Sequence, residues 1–334
     1  MTDATTDRQR TSSDIEQHSS HWKPNCADGQ LLADRYALRS ILSRSSFGMT
    51  WLAQNVYLPG QPLCVIKQLA PQFTDPQLVA IARTRFELEA VSLSRLGTHA
   101  QIPSLLDYFQ IGTDLYLVTE YIPGSVLPQI IAKQGRFTEP EIENFLEQML
   151  ALLEYIHSQH TIHCDIKPQN IILCQTDRRF VLIDFGAAAD LDPATSDRLD
   201  TSSVAVGTPG YAPPEQLANR AVYASDLYAL GMTCVYLLTG REPRHLPIDQ
   251  RTCELMWSED VDISPDLGEI VSKLIQVPLT ERYSCVSQVV TALENRAVRA
   301  KLRTYLDQKH AISKTDRIDG NPYPAVVHWA LEIK

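Results

Sequence analysis

The sequence predicts an α+β chain in two lobes: a strand-rich first third with an antiparallel sheet and one long helix, then a mainly helical remainder. Three observations carry that expectation. Short apolar, β-branched runs alternate with turn residues up to about residue 120. TEPE at 138–141 opens a long amphipathic pattern. LYALGMTCVYLL at 227–238 is apolar all round, as expected of a helix buried on every side.

Taken in order, residues 1–34 are rich in Ser, Thr, Asp and Gln, with eight of the first twenty being Ser or Thr. Such a stretch buries too little apolar surface to fold, so a disordered polar leader is expected. RYALRSIL at 35–42, MTWLAQN at 49–55 and PLCVIKQL at 62–69 read as three strands of a meander. A long helix follows, with Asp75 as its cap, Pro76 in its first turn and Gly97 past its end. Strands at 105–110 and 114–119 flank a turn at Gly112. The TEPE capping box then starts a helix to about 159, whose Ile142, Phe145, Met149, Leu152, Leu153 and Ile156 form one apolar face. Short β-like segments lie at 171–173 and 180–183, and the tail 298–334 carries no motif.

The totals narrow the function classes. The chain has 334 residues, 44% hydrophobic and 21% charged, enough for a sizeable core, with a formal net charge of −10. That charge argues against a nucleic-acid partner, so phosphate-bearing ligands must be held by local cations or metal. The seven cysteines never fall two to four apart, so zinc pairs are not evident, and scattered thiols fit a reducing compartment. No signal peptide and no run of 18 apolar residues is present. The expectation is a soluble, cytoplasmic protein without a membrane span.

Chemistry concentrates in a few places. On the long helix, Leu78, Ala82, Phe86, Glu89, Leu93 and Leu96 share one face, and Glu89 interrupts an otherwise apolar stripe. Lys67 interrupts the apolar strand CVIKQL in the same way. Either alone could be a solvated charge; together they favour an ion pair, because each would be costly to bury unpaired. FVLIDFG at 180–186 sets Asp184 at the end of an apolar strand, which reads as a buried acid calling for a cation. TIHCDIKPQN at 161–170 places Asp165, Lys167 and Asn170 on a loop stiffened by Pro168. Three polar groups of different charge type on one loop suit a base, a phosphate clamp and a metal ligand.

Lys67, Glu89, the H-x-D-x-K-x-x-N series and Asp184-Phe185-Gly186 stand in the order and rough spacing of the eukaryotic-type protein kinase signature. GTPGYAPPEQ at 207–216 resembles the end of an activation segment, SDLYALG at 225–231 the start of the central helix, and ERYS at 281–284 the site of a late Arg. CVIKQL, DIKPQNII and LLTG resemble bacterial serine/threonine kinases, cyanobacterial ones above all. The resemblance covers about 35–297 and implies a bilobal protein-kinase fold, with an N-lobe over about 35–122, a C-lobe over about 123–297, and a tail of unknown role at 298–334.

The resemblance also implies roles. Lys67, held by Glu89, would bind the α- and β-phosphates of ATP. Asp165 would orient and deprotonate the substrate hydroxyl, and Lys167 would neutralise charge on the transferred phosphate. Asn170 and Asp184 would hold Mg²⁺. Adenine would lie between Thr50 and Val65 on one side and Ile172 on the other, bonded to the backbone of Glu120 and Ile122, with Thr119 as gatekeeper. Glu215 would pair with Arg282. Lys167 and Thr208 suit protein substrates with a Ser or Thr acceptor.

Two departures stand out. In SRSSFG at 43–48, Ser43 and Ser45 occupy positions where the family has glycine, and only Gly48 remains. Serine restricts the backbone and its close approach to phosphate, so weaker ATP binding is expected, by about 1–2 kcal/mol, although its hydroxyl could itself donate to phosphate. Cys164 stands where related kinases carry an Arg that grips a phosphorylated activation loop, leaving phosphorylation of Thr201, Ser202 or Ser203 without that partner. Since Lys67, Asp165 and Asp184 are all present, the reading is an active kinase independent of loop phosphorylation. The alternative is a pseudokinase that binds nucleotide or acts as a scaffold.

Overall fold

The computed structural model describes residues 31–301, apart from 73–74, 98, 191–206, 253 and 300. The expected leader as far as residue 30, the tail beyond 301, and Thr201, Ser202 and Ser203 lie outside the described residues. The chain forms two compact units that divide between Ile122 and Pro123.

The first unit is built on β1 (Tyr36–Ser45), β2 (Gly48–Asn55), β3 (Leu63–Leu69), β4 (Leu105–Ile111) and β5 (Asp114–Glu120), with α1 (Pro76–Leu96) between β3 and β4. The strands pair antiparallel in the order β1-β2-β3-β5-β4. Alternation separates the two faces. Tyr36, Met49, Trp51, Ala53, Cys64, Ile66, Tyr116 and Val118 form a buried core with Leu32, which bridges back to Tyr36. Phe109 stacks between Tyr36 and Tyr116 at centroid separations of 6.1 and 5.2 Å. The opposite face carries Thr50 across from Lys67, Lys67 across from Leu117, and Val65 across from Leu52 and Thr119.

Asp75 caps α1 by accepting the Gln77 N–H, and Gly97 closes its end. Its buried stripe is Ala82, Phe86, Glu89, Ala90, Leu93 and Leu96. Leu78 does not join the stripe predicted for it. It sits in the first turn and is 47% exposed, so the buried face begins at Ala82.

The second unit opens with β6 (Gly124–Val126), α2 (Leu127–Gln134) and α3 (Glu139–Ser158). The predicted capping box at α3 is present, with the Thr138 N–H and hydroxyl both donating to Glu141 Oε2 at 2.8 Å. Next come β7 (Thr161–Ile162), a 3₁₀ turn at Pro168–Asn170, β8 (Ile171–Cys174), β9 (Phe180–Leu182) and β10 (Ala189–Asp190). These form a three-stranded sheet, β6-β8-β9, and a β7-β10 pair. The unit is completed by α4 (Pro214–Leu217), α5 (Tyr223–Thr239), α6 (Pro265–Leu274) and helical residues 286–299.

Helix α5 is the apolar helix expected from the sequence, and every residue from Ala224 to Thr239 except Tyr228 is buried. Gly231 lets α6 approach it closely. A Cβ there would lie 2.7 Å from Leu274 Cβ and from Ile275 Cγ2, inside contact distance.

Candidate active site

In the first unit, strand β3 presents Lys67 and helix α1 presents Glu89, and Nζ meets Oε2 at 2.7 Å. The Glu89 side chain is only 6% exposed while the Lys67 side chain is 33% exposed. The pair predicted from two interrupted stripes therefore forms, with the carboxylate inside and the ammonium reaching outward. Thr50 and Val65 share Lys67's sheet face by register, and Thr119 lies beside Val65. The Glu120 N–H donates to the Ser104 carbonyl at 2.9 Å. Ile122 closes the unit and is buried.

The β1–β2 turn accounts for Gly48. Gly48 has φ 154°, and a Cβ on it would lie 1.9 Å from the Gln68 carbonyl oxygen, so no side chain fits. Ser43 and Ser45 meet no such limit. Both lie in β1 with negative φ. Ser45 Oγ accepts from the Phe47 N–H and donates to the Gly48 carbonyl, both at 3.3 Å, so this hydroxyl serves the turn.

In the second unit, the catalytic-type loop leaves β7 and enters the 3₁₀ turn. The Asp165 carboxylate is held from three directions. Lys167 Nζ donates to Oδ2 at 2.7 Å, Asn170 Nδ2 to Oδ2 at 2.9 Å, and the Thr208 hydroxyl to Oδ1 at 2.6 Å. Lys167 also donates to Thr208 Oγ1 at 2.8 Å, so base, cation and hydroxyl close a ring. Asn170 Nδ2 further bonds the Asp165 carbonyl at 2.9 Å. Ile172 stands on β8, half-buried.

Asp184 departs from its reading as a buried acid. Strand β9 ends at Leu182, Asp184 turns to φ 66°, and the residue is exposed. A left-handed turn right after an apolar strand swings the carboxylate out of the core while Phe185 stays fully buried against His163, their rings 4.7 Å apart edge to face.

Two further residues hold this loop. Asp226, fully buried on α5, accepts the His163 N–H at 2.9 Å on Oδ2, the Cys164 N–H at 3.0 Å on Oδ1, and His157 Nε2 at 2.9 Å. Gln216 donates from Nε2 to the Cys164 carbonyl. Cys164 is thus fixed at φ 63° with both backbone polar groups satisfied. Burial, reinforced by Asp226, pushes its thiol well above the usual cysteine range, so it stays neutral. Burial holds His163 below the usual histidine range, and its neutral Nδ1 accepts the Asp165 N–H at 3.2 Å. Neither Asp226 nor Gln216 emerged from the sequence as a site residue. The signal for Asp226 was a lone carboxylate opening an all-apolar helix.

A family model described as the protein kinase domain matches residues 59–293. The chain belongs to that family. Among its relatives are serine/threonine-protein kinase B of Synechocystis sp. strain PCC 6803, 45% identical over 274 residues (80% of this chain, 48% of the relative), and kinase C of the same strain, 41% identical over 269 residues (79% and 50%). Serine/threonine-protein kinase PknA of Nostoc sp. strain PCC 7120 is 40% identical over 269 residues (79% and 48%). The chain spans about half the length of the curated relatives it matches. Among the described residues, no helix of this kinase domain is long and apolar enough to cross a membrane.

The helical unit of the kinase domain is locked by a second buried ion pair. Arg282, its side chain fully buried, donates from Nη1 to Glu215 Oε1 at 2.7 Å and to the Ala224 carbonyl at 3.1 Å. Ser225 Oγ donates to the same Glu215 oxygen at 2.9 Å, tying the start of α5 to the pair. Replacing Arg282 by Met strands the carboxylate, and a loss on the order of 3–5 kcal/mol in unfolding free energy is expected by urea denaturation. A change below about 1 kcal/mol would show that the pair is not structural.

Proposed function

We propose that the chain is an ATP-dependent serine/threonine protein kinase. The observation that carries this reading is the Asp165 carboxylate, ordered by Lys167, Asn170 and Thr208 while one oxygen keeps capacity to accept. Oδ2 receives two donors and Oδ1 only the Thr208 hydroxyl, so a lone pair on Oδ1 is left for the hydroxyl of an incoming Ser or Thr. That hydroxyl oxygen bonds to the γ-phosphorus as the bond to the β,γ-bridging oxygen breaks. Asp165 takes the proton, and ADP leaves. Lys167 offsets charge on the transferred group, and Lys67, oriented by Glu89, binds the α- and β-phosphates.

The donor set fits Mg²⁺. The Asn170 amide oxygen and the exposed Asp184 carboxylate are both hard oxygen ligands, and an ion that keeps several waters needs only one or two such groups beside substrate phosphates. When bound, Mg²⁺ neutralises charge on the β- and γ-phosphates. Adenine is assigned to the side chains of Thr50, Val65 and Ile172, with Thr119 as gatekeeper and the backbone of Glu120 and Ile122 as its polar contacts. Ser43, Ser45 and Gly48 line the phosphates. The partner is a protein with a Ser or Thr acceptor, and the compartment is the cytoplasm.

One observation favours the pseudokinase reading, namely that the Ser45 hydroxyl is spent within its own turn and adds no donor to phosphate. Incubating the full chain with labelled ATP, Mg²⁺ and myelin basic protein separates the two. Transfer well above that of Asp165→Asn is expected; equality with that variant at millimolar ATP would establish the pseudokinase. Restoring Ser43→Gly with Ser45→Gly is expected to lower the KM for ATP about ten-fold. Cys164→Arg is expected instead to make activity depend on phosphorylation within 195–208. Unchanged KM with faster turnover in the glycine variant would refute the assignment of that loop.

A further inference from the structure

Glu242 lies just past the end of α5, between the C-cap Gly240 and the 3₁₀ turn Pro243–His245. Its carboxylate is held by two neutral donors from two other segments. The Tyr211 hydroxyl donates to Oε2 at 3.1 Å and Gln169 Nε2 to Oε1 at 3.4 Å. Among the described residues no Lys, Arg or His forms an ion pair with it, although Arg241 and Arg244 are close in sequence and both exposed.

The two donors come from the two segments that hold Asp165. Gln169 adjoins Asn170, which bonds Asp165. Tyr211 donates its N–H to the Thr208 carbonyl at 3.0 Å, and the Thr208 hydroxyl bonds Asp165. Glu242 is therefore a half-buried carboxylate tied to the two segments that hold Asp165. Both donors are neutral, and about half its lone pairs remain unused. The field of that charge is felt next door: burial first, and Glu242 second, push the Tyr211 phenol well above the usual tyrosine range, with Arg244 opposing only weakly.

We infer that Glu242 determines specificity by pairing with an arginine or lysine side chain of the protein substrate that flanks the phosphorylated residue. The inference rests on the kinase reading above. A carboxylate already oriented by two hydrogen bonds loses little freedom on binding a guanidinium, and the pair gains a charge-assisted bond that an uncharged side chain cannot supply. Gln169 contributes no charge, so Glu242 is the acidic group on this side of the catalytic loop that a flanking cation would meet.

The test is a positional scan of Ser-acceptor peptides in which Arg, Ala or Glu is placed in turn at each flanking position, read as kcat/KM with the full chain. At one flanking position, Arg is expected to exceed Ala by on the order of ten- to a hundred-fold, with Glu the poorest. In Glu242→Gln, which keeps acceptors and donors but no charge, the Arg-to-Ala ratio at that position falls toward one. Glu242→Lys reverses the preference toward Glu. Transfer to peptides with no preference for Arg at any position, or an Arg preference that survives in Glu242→Gln, overturns the role of Glu242 alone. Absence of transfer to every peptide, relative to Asp165→Asn, overturns the kinase reading and this inference with it.

Discussion

The buried carboxylate of Asp226 is the constraint on which the active-type loop depends. An ionised acid with no exposed surface is costly unless fully hydrogen-bonded, and here three donors satisfy it. Two of these are consecutive backbone N–H groups, of His163 and Cys164. Immediately after these amides the chain turns left-handed, with Cys164 at φ 63°. A left-handed non-glycine residue costs on the order of 1–3 kcal/mol, which the Asp226 bonds and the Gln216 bond to the Cys164 carbonyl offset. The next residue is Asp165, whose carboxylate is thereby presented to Lys167, Asn170 and Thr208. Strain stored at one residue thus fixes the direction of the next.

This arrangement bears on Cys164, where the resemblance implies a cation. The Cys164 side chain is buried and neutral, and nothing that holds Asp165 passes through it, only through the residue's N–H and carbonyl. Position 164 holds the turn before Asp165 through its backbone N–H and carbonyl. In the first unit the Lys67–Glu89 pair closes at 2.7 Å.

Much of this was legible in the sequence, and the rest was not for identifiable reasons. Amphipathic period and caps marked α1 and α3, because Asp75, Pro76, Gly97 and the Thr138–Glu141 box act within one turn of chain. Lys67 and Glu89 were legible as charges breaking apolar stripes. Two-residue strands such as β7 and β10 have no period to detect and exist only through their long-range pairing. The positive φ of Cys164 and Asp184 was invisible because neither is glycine. Asp184 was misjudged as buried for that reason, and Leu78 because periodicity does not say where along a helix packing begins. Gly48 and the serines before it separated only once the Gln68 carbonyl was seen against the glycine.

The chain of support from Asp226 through Cys164 to Asp165 is tested most directly by Asp226→Asn, which keeps size and shape but turns one of the two accepting oxygens into a donor facing an N–H group. With labelled ATP and a protein acceptor, at a temperature where the variant remains folded, kcat is predicted to fall by on the order of ten- to a hundred-fold while the KM for ATP changes less than about two-fold. An unchanged kcat in a folded but less heat-stable variant would show that Asp226 braces the core without placing Asp165, and would contradict the account.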